Sequence, residues 1–146
     1  MEKLHFSTSI NAPREKVWDV LWNKATYPAW TSVFGEGSTA ETDWKEGSEV
    51  RFFDSTHQEG MLSRIAVKKP NEYMSFQHLG MIKNGVADTE SPEVKAWAGA
   101  EENYTLHSAN GQTELAVDMD ITAEHAEYFK NAWPKALEKV KELSEQ

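Results

Sequence analysis

The sequence predicts an α+β domain in which an antiparallel sheet precedes a long C-terminal helix. Three observations predict it: apolar residues alternate from Leu4 to Ile10, several short strand patterns follow between residues 38 and 121, and apolar residues recur at helical spacing after Thr122. The chain has 146 residues, of which 39% are hydrophobic and 27% charged, as is typical of one globular domain. We therefore expect a single domain spanning residues 1–146, with one core.

The first strand is followed by helical signals. The alternation over residues 4–10 is typical of a strand with one buried face. Either Asn11 or Ala12 can cap a helix over residues 13–22, with its proline in the first turn, where a missing N–H is harmless. Residues 27–30 predict either a second short helical turn or a tight loop.

Turn signals divide the middle of the chain into short strands. Glu46-Gly47, Glu59-Gly60 and Pro70-Asn71 each precede an apolar alternation. Asn110-Gly111 is the strongest signal, because a type I′ hairpin turn needs positive φ at both central residues. Short strands joined by such turns indicate an antiparallel meander.

Two segments near the end of this meander differ in pattern. Residues 113–121 place apolar side chains on one face, whereas Asp118 and Asp120 lie on the other and are expected to be surface charges. The segment from Ile82 to Glu93 is rich in Gly, Asp, Glu, Ser and Pro and has no apolar period. We expect it to be a long mobile loop.

The final helix has a recognisable start and one interruption. Thr122 is the expected N-cap, and apolar residues from Phe129 to Leu143 recur every three or four positions. Pro134 removes one backbone hydrogen bond within this pattern. We therefore expect it to kink or divide the helix.

Composition argues against several classes of function. The formal net charge of −9 disfavours nucleic acid as a partner. The chain has no cysteine, no apolar stretch suited to a signal peptide or membrane span, and five histidines without metal-ligand spacing. We expect a cytoplasmic protein without membrane insertion, and with neither metal nor cofactor; no phosphate loop or nucleophile elbow is visible.

Several short motifs lie at the ends of these elements: Ile10-Asn-Ala-Pro with Val17-Trp18 after it, Gly47 before a strand, Gly111-x-Thr113-x-Leu115, and Trp133 followed by Leu137. With the order of elements, they resemble the START-like, or SRPBCC, superfamily, and within it the AHSA-like family named after the activator of the heat-shock-protein-90 ATPase. The resemblance implies a helix-grip (START-like, Bet v allergen-like) fold, with a curved sheet wrapped around the C-terminal helix. It also implies a cavity between them for hydrophobic molecules, but no catalytic motif.

Strand alternation selects the residues expected to face that cavity. The candidate ligand-binding residues are Phe52, Met74, Phe76, His78, Glu102, Tyr104, Met119, Phe129 and Trp133. Apart from the polar pair His78 and Glu102, the same side chains would also suit a packed core. This pair would orient a ligand or act as a general acid and base, and it would equally suit a structural hydrogen bond.

The leading prediction is intracellular binding of a small hydrophobic or amphipathic ligand, as a carrier or sensor. One alternative is a protein-interaction or cochaperone-like role that uses the exposed sheet face and the acidic loop. A second alternative is a cyclase, dehydratase or hydrolase that uses His78 and Glu102, although the pattern favours binding over catalysis. The sequence indicates neither the ligand nor the oligomeric state.

Overall fold

The structure, a computed structural model, describes all 146 residues. Its elements in chain order are β1 (Glu2–Ile10), α1 (Arg14–Trp22), α2 (Tyr27–Thr31), β2 (Thr39–Glu41), β3 (Glu49–Phe53), β4 (Gly60–Lys69), β5 (Tyr73–Lys83), β6 (Val86–Asp88), α3 (Pro92–Lys95), β7 (Glu101–Ala109), β8 (Gln112–Ile121) and α4 (Ala123–Ser144).

The strands form one curved antiparallel sheet. Their order is β1-β8-β7-β5-β4-β3-β2, and β6 pairs with β5 beside this path. Helix α4 packs against β1, α1 and α2. The predicted architecture, a curved sheet around a long C-terminal helix, is confirmed.

The strongest sequence signals agree with the structure. Asn110 and Gly111 have φ of 55° and 80°, so β7 and β8 are joined by the expected tight turn. Along β8, Leu115 and Val117 are fully buried, whereas Asp118 is exposed. The first strand, β1, pairs along its whole length with β8.

Two helix predictions need correction. Helix α1 begins at Arg14, and Pro13 precedes it as the N-cap in an extended conformation, so neither Asn11 nor Ala12 is the cap. Helix α4 runs through Pro134 without ending there. This proline is on the exposed side of the helix, where water can satisfy the carbonyl that it leaves unpaired, and buried residues on both sides hold the helix in place.

The segment from Ile82 to Glu93 is not a long loop. Strand β5 continues to Lys83, and Asn84 and Gly85 turn the chain with φ of 51° and 78° into β6. Helix α3 then begins after Ser91, whose side chain accepts a hydrogen bond from the backbone N–H of Val94. The turn is formed by Asn-Gly, the same dipeptide as in the β7–β8 hairpin. The sequence therefore contains a hairpin signal at this position.

This segment covers part of the convex face of the sheet. A register shift between Leu62 and Ser63 marks a bulge in the pairing of β4 with β5, and it places Leu62 and Gly80 opposite each other. Leu62 and Val94 are buried outside the main core, and α3 lies against β5. The convex face therefore carries a small apolar layer of its own.

Gly80 of β5 has no side chain, which lets Asp88 and Thr89 lie close to this strand. A Cβ atom there would lie 2.3 Å from the carbonyl oxygen of Asp88 and 2.9 Å from the methyl group of Thr89. We expect Gly80→Ala to lower the free energy of unfolding by about 2 kcal/mol, as measured by denaturant titration. Gly35→Ala is the control, because its nearest neighbour would be 3.9 Å away. Equal stability of the two variants would contradict the close contact.

Candidate functional site

The concave face of the sheet holds a cluster of aromatic rings. The ring of Trp22 lies 4.9 Å from Tyr104 and 5.4 Å from Phe76, measured between centroids, with both pairs edge to face. Trp30 lies 6.1 Å from Trp133, and Tyr104 lies 6.0 Å from Trp133. Because such pairs are packed in direct contact, the space between sheet and helix is largely occupied by side chains.

Side chains pack closely around Trp133. The indole Nε1–H of Trp133 donates to Met119 Sδ at 3.0 Å, and Phe34 lies edge to face with the indole ring at 5.0 Å. Helices α1 and α2 contribute Trp22 and Trp30 to this packing. We call the interlocked rings of Trp22, Trp30, Phe76, Tyr104 and Trp133 the aromatic floor.

The predicted site residues divide into buried and half-buried positions. Those that are buried are Met74, Phe76, His78, Tyr104, Met119 and Trp133. Phe52, Glu102 and Phe129 are half-buried. Phe129 lies against the core, with its ring 5.9 Å from that of Phe34, measured between centroids.

Four polar side chains form a connected cluster on this face, and we call them the inner polar cluster. Neighbouring strands β4, β5 and β7 supply them: Ser63, His78, and Glu102 with Tyr104. Ser63 Oγ lies 2.7 Å from His78 Nδ1, and His78 Nε2 lies 3.3 Å from Glu102 Oε1. The Tyr104 hydroxyl donates to Glu102 Oε2. The predicted pairing of His78 with Glu102 is thus present.

The proton positions in this cluster follow from its acceptors. An ionised carboxylate can only accept, so the Nε2–H of His78 donates to Glu102. In the neutral imidazole, Nδ1 then accepts the hydroxyl proton of Ser63. Each of these groups therefore has a partner, which removes the cost of burying it unpaired.

The cluster keeps Glu102 ionised. Burial alone would raise the pKa of this carboxyl, but the hydrogen bond and charge of His78, with the hydroxyl of Tyr104, outweigh burial and hold it below its ordinary value of 4.5. Burial, and then the negative charge of Glu102, raise the pKa of both Tyr27 and Tyr104. At neutral pH the carboxylate is charged and both tyrosines are neutral.

Solvent reaches the inner polar cluster at one end of the concave face. The side chains of His78 and Glu102 are 11% and 20% exposed. Beside them the half-buried rings of Tyr27 and Phe52 stack at 6.4 Å, and Phe52 also contacts Phe76 edge to face at 5.3 Å. We call Tyr27 and Phe52 the aromatic rim.

The order Ser63, His78, Glu102 has the connectivity of a nucleophile, base and acid. Ser63 is, however, fully buried. A substrate cannot reach its hydroxyl oxygen, which already donates to the imidazole. The arrangement therefore suits positioning of polar groups better than acyl transfer.

The convex face offers a different kind of surface. Lys3 Nζ lies 2.7 Å from Asp120, and His5 Nδ1 lies 2.6 Å from Asp118, beside a polar hollow of about 110 Å³. These aspartates are paired surface charges, in line with the sequence prediction. No three His, Asp or Glu side chains are grouped so as to hold a metal ion. No helix is long and apolar enough to cross a membrane.

Two contributors to the site were missed from the sequence. Ser63 alternates with Met61 and Ile65 along β4, and this period would have placed it on the concave face. Tyr27 belongs to the short helix α2, and no sequence period relates it to a strand on the other side of the core. Only the packing of α2 against the sheet brings it near Phe52.

A curved antiparallel sheet, with a long C-terminal helix against its concave face and two short helices after its first strand, defines a helix-grip domain. The chain belongs to the family described as Activator of Hsp90 ATPase homolog 1-like protein, whose family model matches residues 11–145. This assignment agrees with the resemblance found in the sequence. No curated protein matches the chain.

Solved structures share the fold at low sequence identity. The Aha1 dimer from Colwellia psychrerythraea, determined in solution, has a TM-score of 0.76 at 20% identity, covering 99% of this chain and 97% of that one. A crystal structure from Mesorhizobium loti has a TM-score of 0.74 at 16% identity, covering 97% and 96%. A solution structure from Cytophaga hutchinsonii has a TM-score of 0.70 at 22% identity, covering 97% and 92%. At these identities, the likeness shows the fold alone.

The depressed pKa of Glu102 predicts a pH-dependent effect on stability. Because the folded-state pKa lies below the ordinary value, the ionised carboxylate stabilises the fold above that value, and the contribution is lost as pH falls through the folded pKa. We expect Glu102→Gln to lower the free energy of unfolding by about 1 kcal/mol at pH 7. The difference from wild type should shrink at about pH 3.

Denaturant titrations at both pH values measure this difference. Glu101→Gln is the matched control, because Glu101 is the preceding residue of β7 and is exposed. It should change stability little at either pH. If Glu102→Gln lowers the free energy of unfolding equally at both pH values, the stabilising effect does not come from the ionised carboxylate, and the lowered pKa of Glu102 is contradicted.

Proposed function

We propose that this chain is a cytoplasmic binding module, a carrier or sensor, for a small amphipathic molecule. The apolar part of the molecule lies against the aromatic rim, and its polar end meets Glu102 and His78. One observation carries the proposal: a carboxylate and an imidazole are held, partly exposed, on an otherwise apolar concave face. Ligand sites combine apolar walls with a few positioned polar groups in this way.

The packed interior supports a shallower site than the cavity inferred from the sequence. The aromatic floor supplies rigid backing for the rim, since Phe52 rests on Phe76. Of the predicted ligand-binding residues, Phe52, His78 and Glu102 are the proposed direct contacts, joined by Tyr27. The others, Met74, Phe76, Tyr104, Met119, Phe129 and Trp133, support the site from below or beside it.

Phe52 and Phe53 provide a matched test of this site. They are consecutive in β3, so their side chains point to opposite faces, and both are half-buried. A thermal-shift screen of amphipathic compounds should give hits that raise the melting temperature of the wild type. We expect Phe52→Ala to weaken the binding of such a hit about 10-fold, equivalent to about 1.4 kcal/mol of lost apolar contact, and Phe53→Ala to leave it unchanged.

Calorimetric titration of each purified variant gives the dissociation constants. Circular dichroism first establishes that both variants are folded. If every hit binds both variants equally well, or if Phe53→Ala has the larger effect, then the ligand does not occupy the concave face. The proposal would then be wrong.

A protein-interaction role is the second candidate, supported by the family and by one surface feature. The description of the family refers to activation of the Hsp90 ATPase. Val86 begins β6 at the tip of the β5–β6 hairpin, where it is 68% exposed on the segment that covers the convex face. An exposed apolar side chain at such a tip suits a contact with a protein partner.

The cochaperone role makes a direct prediction. The purified chain should increase the steady-state ATPase rate of an Hsp90 chaperone, and Val86→Asp should reduce the increase, because it places a charge in the contact. The exposed substitution Val86→Thr, which keeps a similar shape, serves as the control. An unchanged ATPase rate over a wide range of concentration would count against this candidate.

A further inference from the structure

No lysine or arginine is paired with Glu102, and its ion-pair partner is His78, at 3.3 Å. The groups that shift its pKa, apart from burial itself, are His78 and Tyr104, with no lysine or arginine among them. Lys68, in the same strand as Ser63, is occupied elsewhere, because its Nζ donates to the carbonyl oxygen of Trp44 at 2.7 Å. When the imidazole is neutral, the inner polar cluster therefore carries a net charge of −1.

The carboxylate also has unused capacity to accept hydrogen bonds. Two carboxylate oxygens offer about four acceptor sites. Side chains fill two of them, one through His78 Nε2 and one through the Tyr104 hydroxyl. The Glu102 side chain is 20% exposed, so solvent reaches the residue that carries these acceptor sites.

The aromatic rim adds a second feature that favours a positive charge. The rings of Tyr27 and Phe52 stack at a centroid distance of 6.4 Å, and the pKa of Tyr27 is raised by burial and, after burial, by the charge of Glu102. Aromatic faces attract ammonium groups through the ring quadrupole, most strongly where water is partly excluded. A carboxylate next to half-buried rings is thus complementary to an organic cation.

We infer that the ligand of the concave face is an amphipathic amine, whose ammonium group pairs with the carboxylate of Glu102 and whose apolar body lies on Tyr27 and Phe52. This inference rests on the proposed function and specifies its ligand class. A carboxylate or phosphate ligand would meet like charge at Glu102, and a neutral alcohol would gain a hydrogen bond without the ion pair. The site therefore selects by charge as well as by shape.

Three probes with one aromatic body and different charge test the inference: phenethylamine, 2-phenylethanol and phenylacetate. Calorimetric titration of the wild-type protein should give the tightest binding for the amine and the weakest for the acid. In Glu102→Gln, which keeps the side-chain shape and removes the charge, amine affinity should fall about 10-fold, equivalent to about 1.4 kcal/mol, while the affinity for the alcohol stays the same. Glu101→Gln removes a charge from the opposite face of the sheet, and it should leave all three affinities unchanged.

The possible results separate the inference from the proposal beneath it. If the alcohol or the acid binds in a Phe52-dependent manner and the amine binds no better, the amine class is wrong, while the binding function stands. The same conclusion follows if Glu102→Gln retains the preference for the amine. If none of the probes binds in a Phe52-dependent manner at millimolar concentration, both the inference and the proposed function are contradicted.

Discussion

An ionised carboxylate on an apolar concave face must keep its hydrogen-bond donors, and much of this structure is arranged to provide them. Glu102 receives donors from His78 and Tyr104, and His78 is fixed in turn by Ser63. The bulge beside the Ser63–His78 pair leaves Leu79 of β5 unpaired, which shifts the alternation of β5 beyond that point. The inner polar cluster therefore lies next to the point where the regular pairing of β4 with β5 is interrupted.

The aromatic floor gives the concave face a rigid base. Trp22 and Trp30 contribute to it from α1 and α2, and the indole of Trp30 is fixed by donation to the carbonyl oxygen of Leu21 at 3.1 Å. Rings packed at interior density rearrange little, and the proposed binding site is therefore the rim. The same rigidity holds Phe52 in a defined position.

Local sequence patterns predicted most of the architecture, because alternation and turn chemistry act over a few residues. The pairing of His78 with Glu102 could be predicted because strand alternation gives the face of each residue, and their strands are neighbours. The packing of Trp22 and Trp30 with the rings of the sheet and of α4 could not be predicted, because it depends on how α1 and α2 lie against a distant sheet. The hairpin at Asn84 was predictable, but the polar composition around it was interpreted as a loop. Ser63 was overlooked for a similar reason, since a lone serine among apolar residues gives little indication of a buried partner.

The pairing of β1 with β8 has a consequence for biosynthesis. Residues 2–10 leave the ribosome well before their partner strand, which ends at residue 121. Closing so large a loop is slow, and it cannot start before the partner strand exists. Strand β1 therefore remains an unpaired edge until β8 has been synthesised, and the domain acquires its native sheet only after that point.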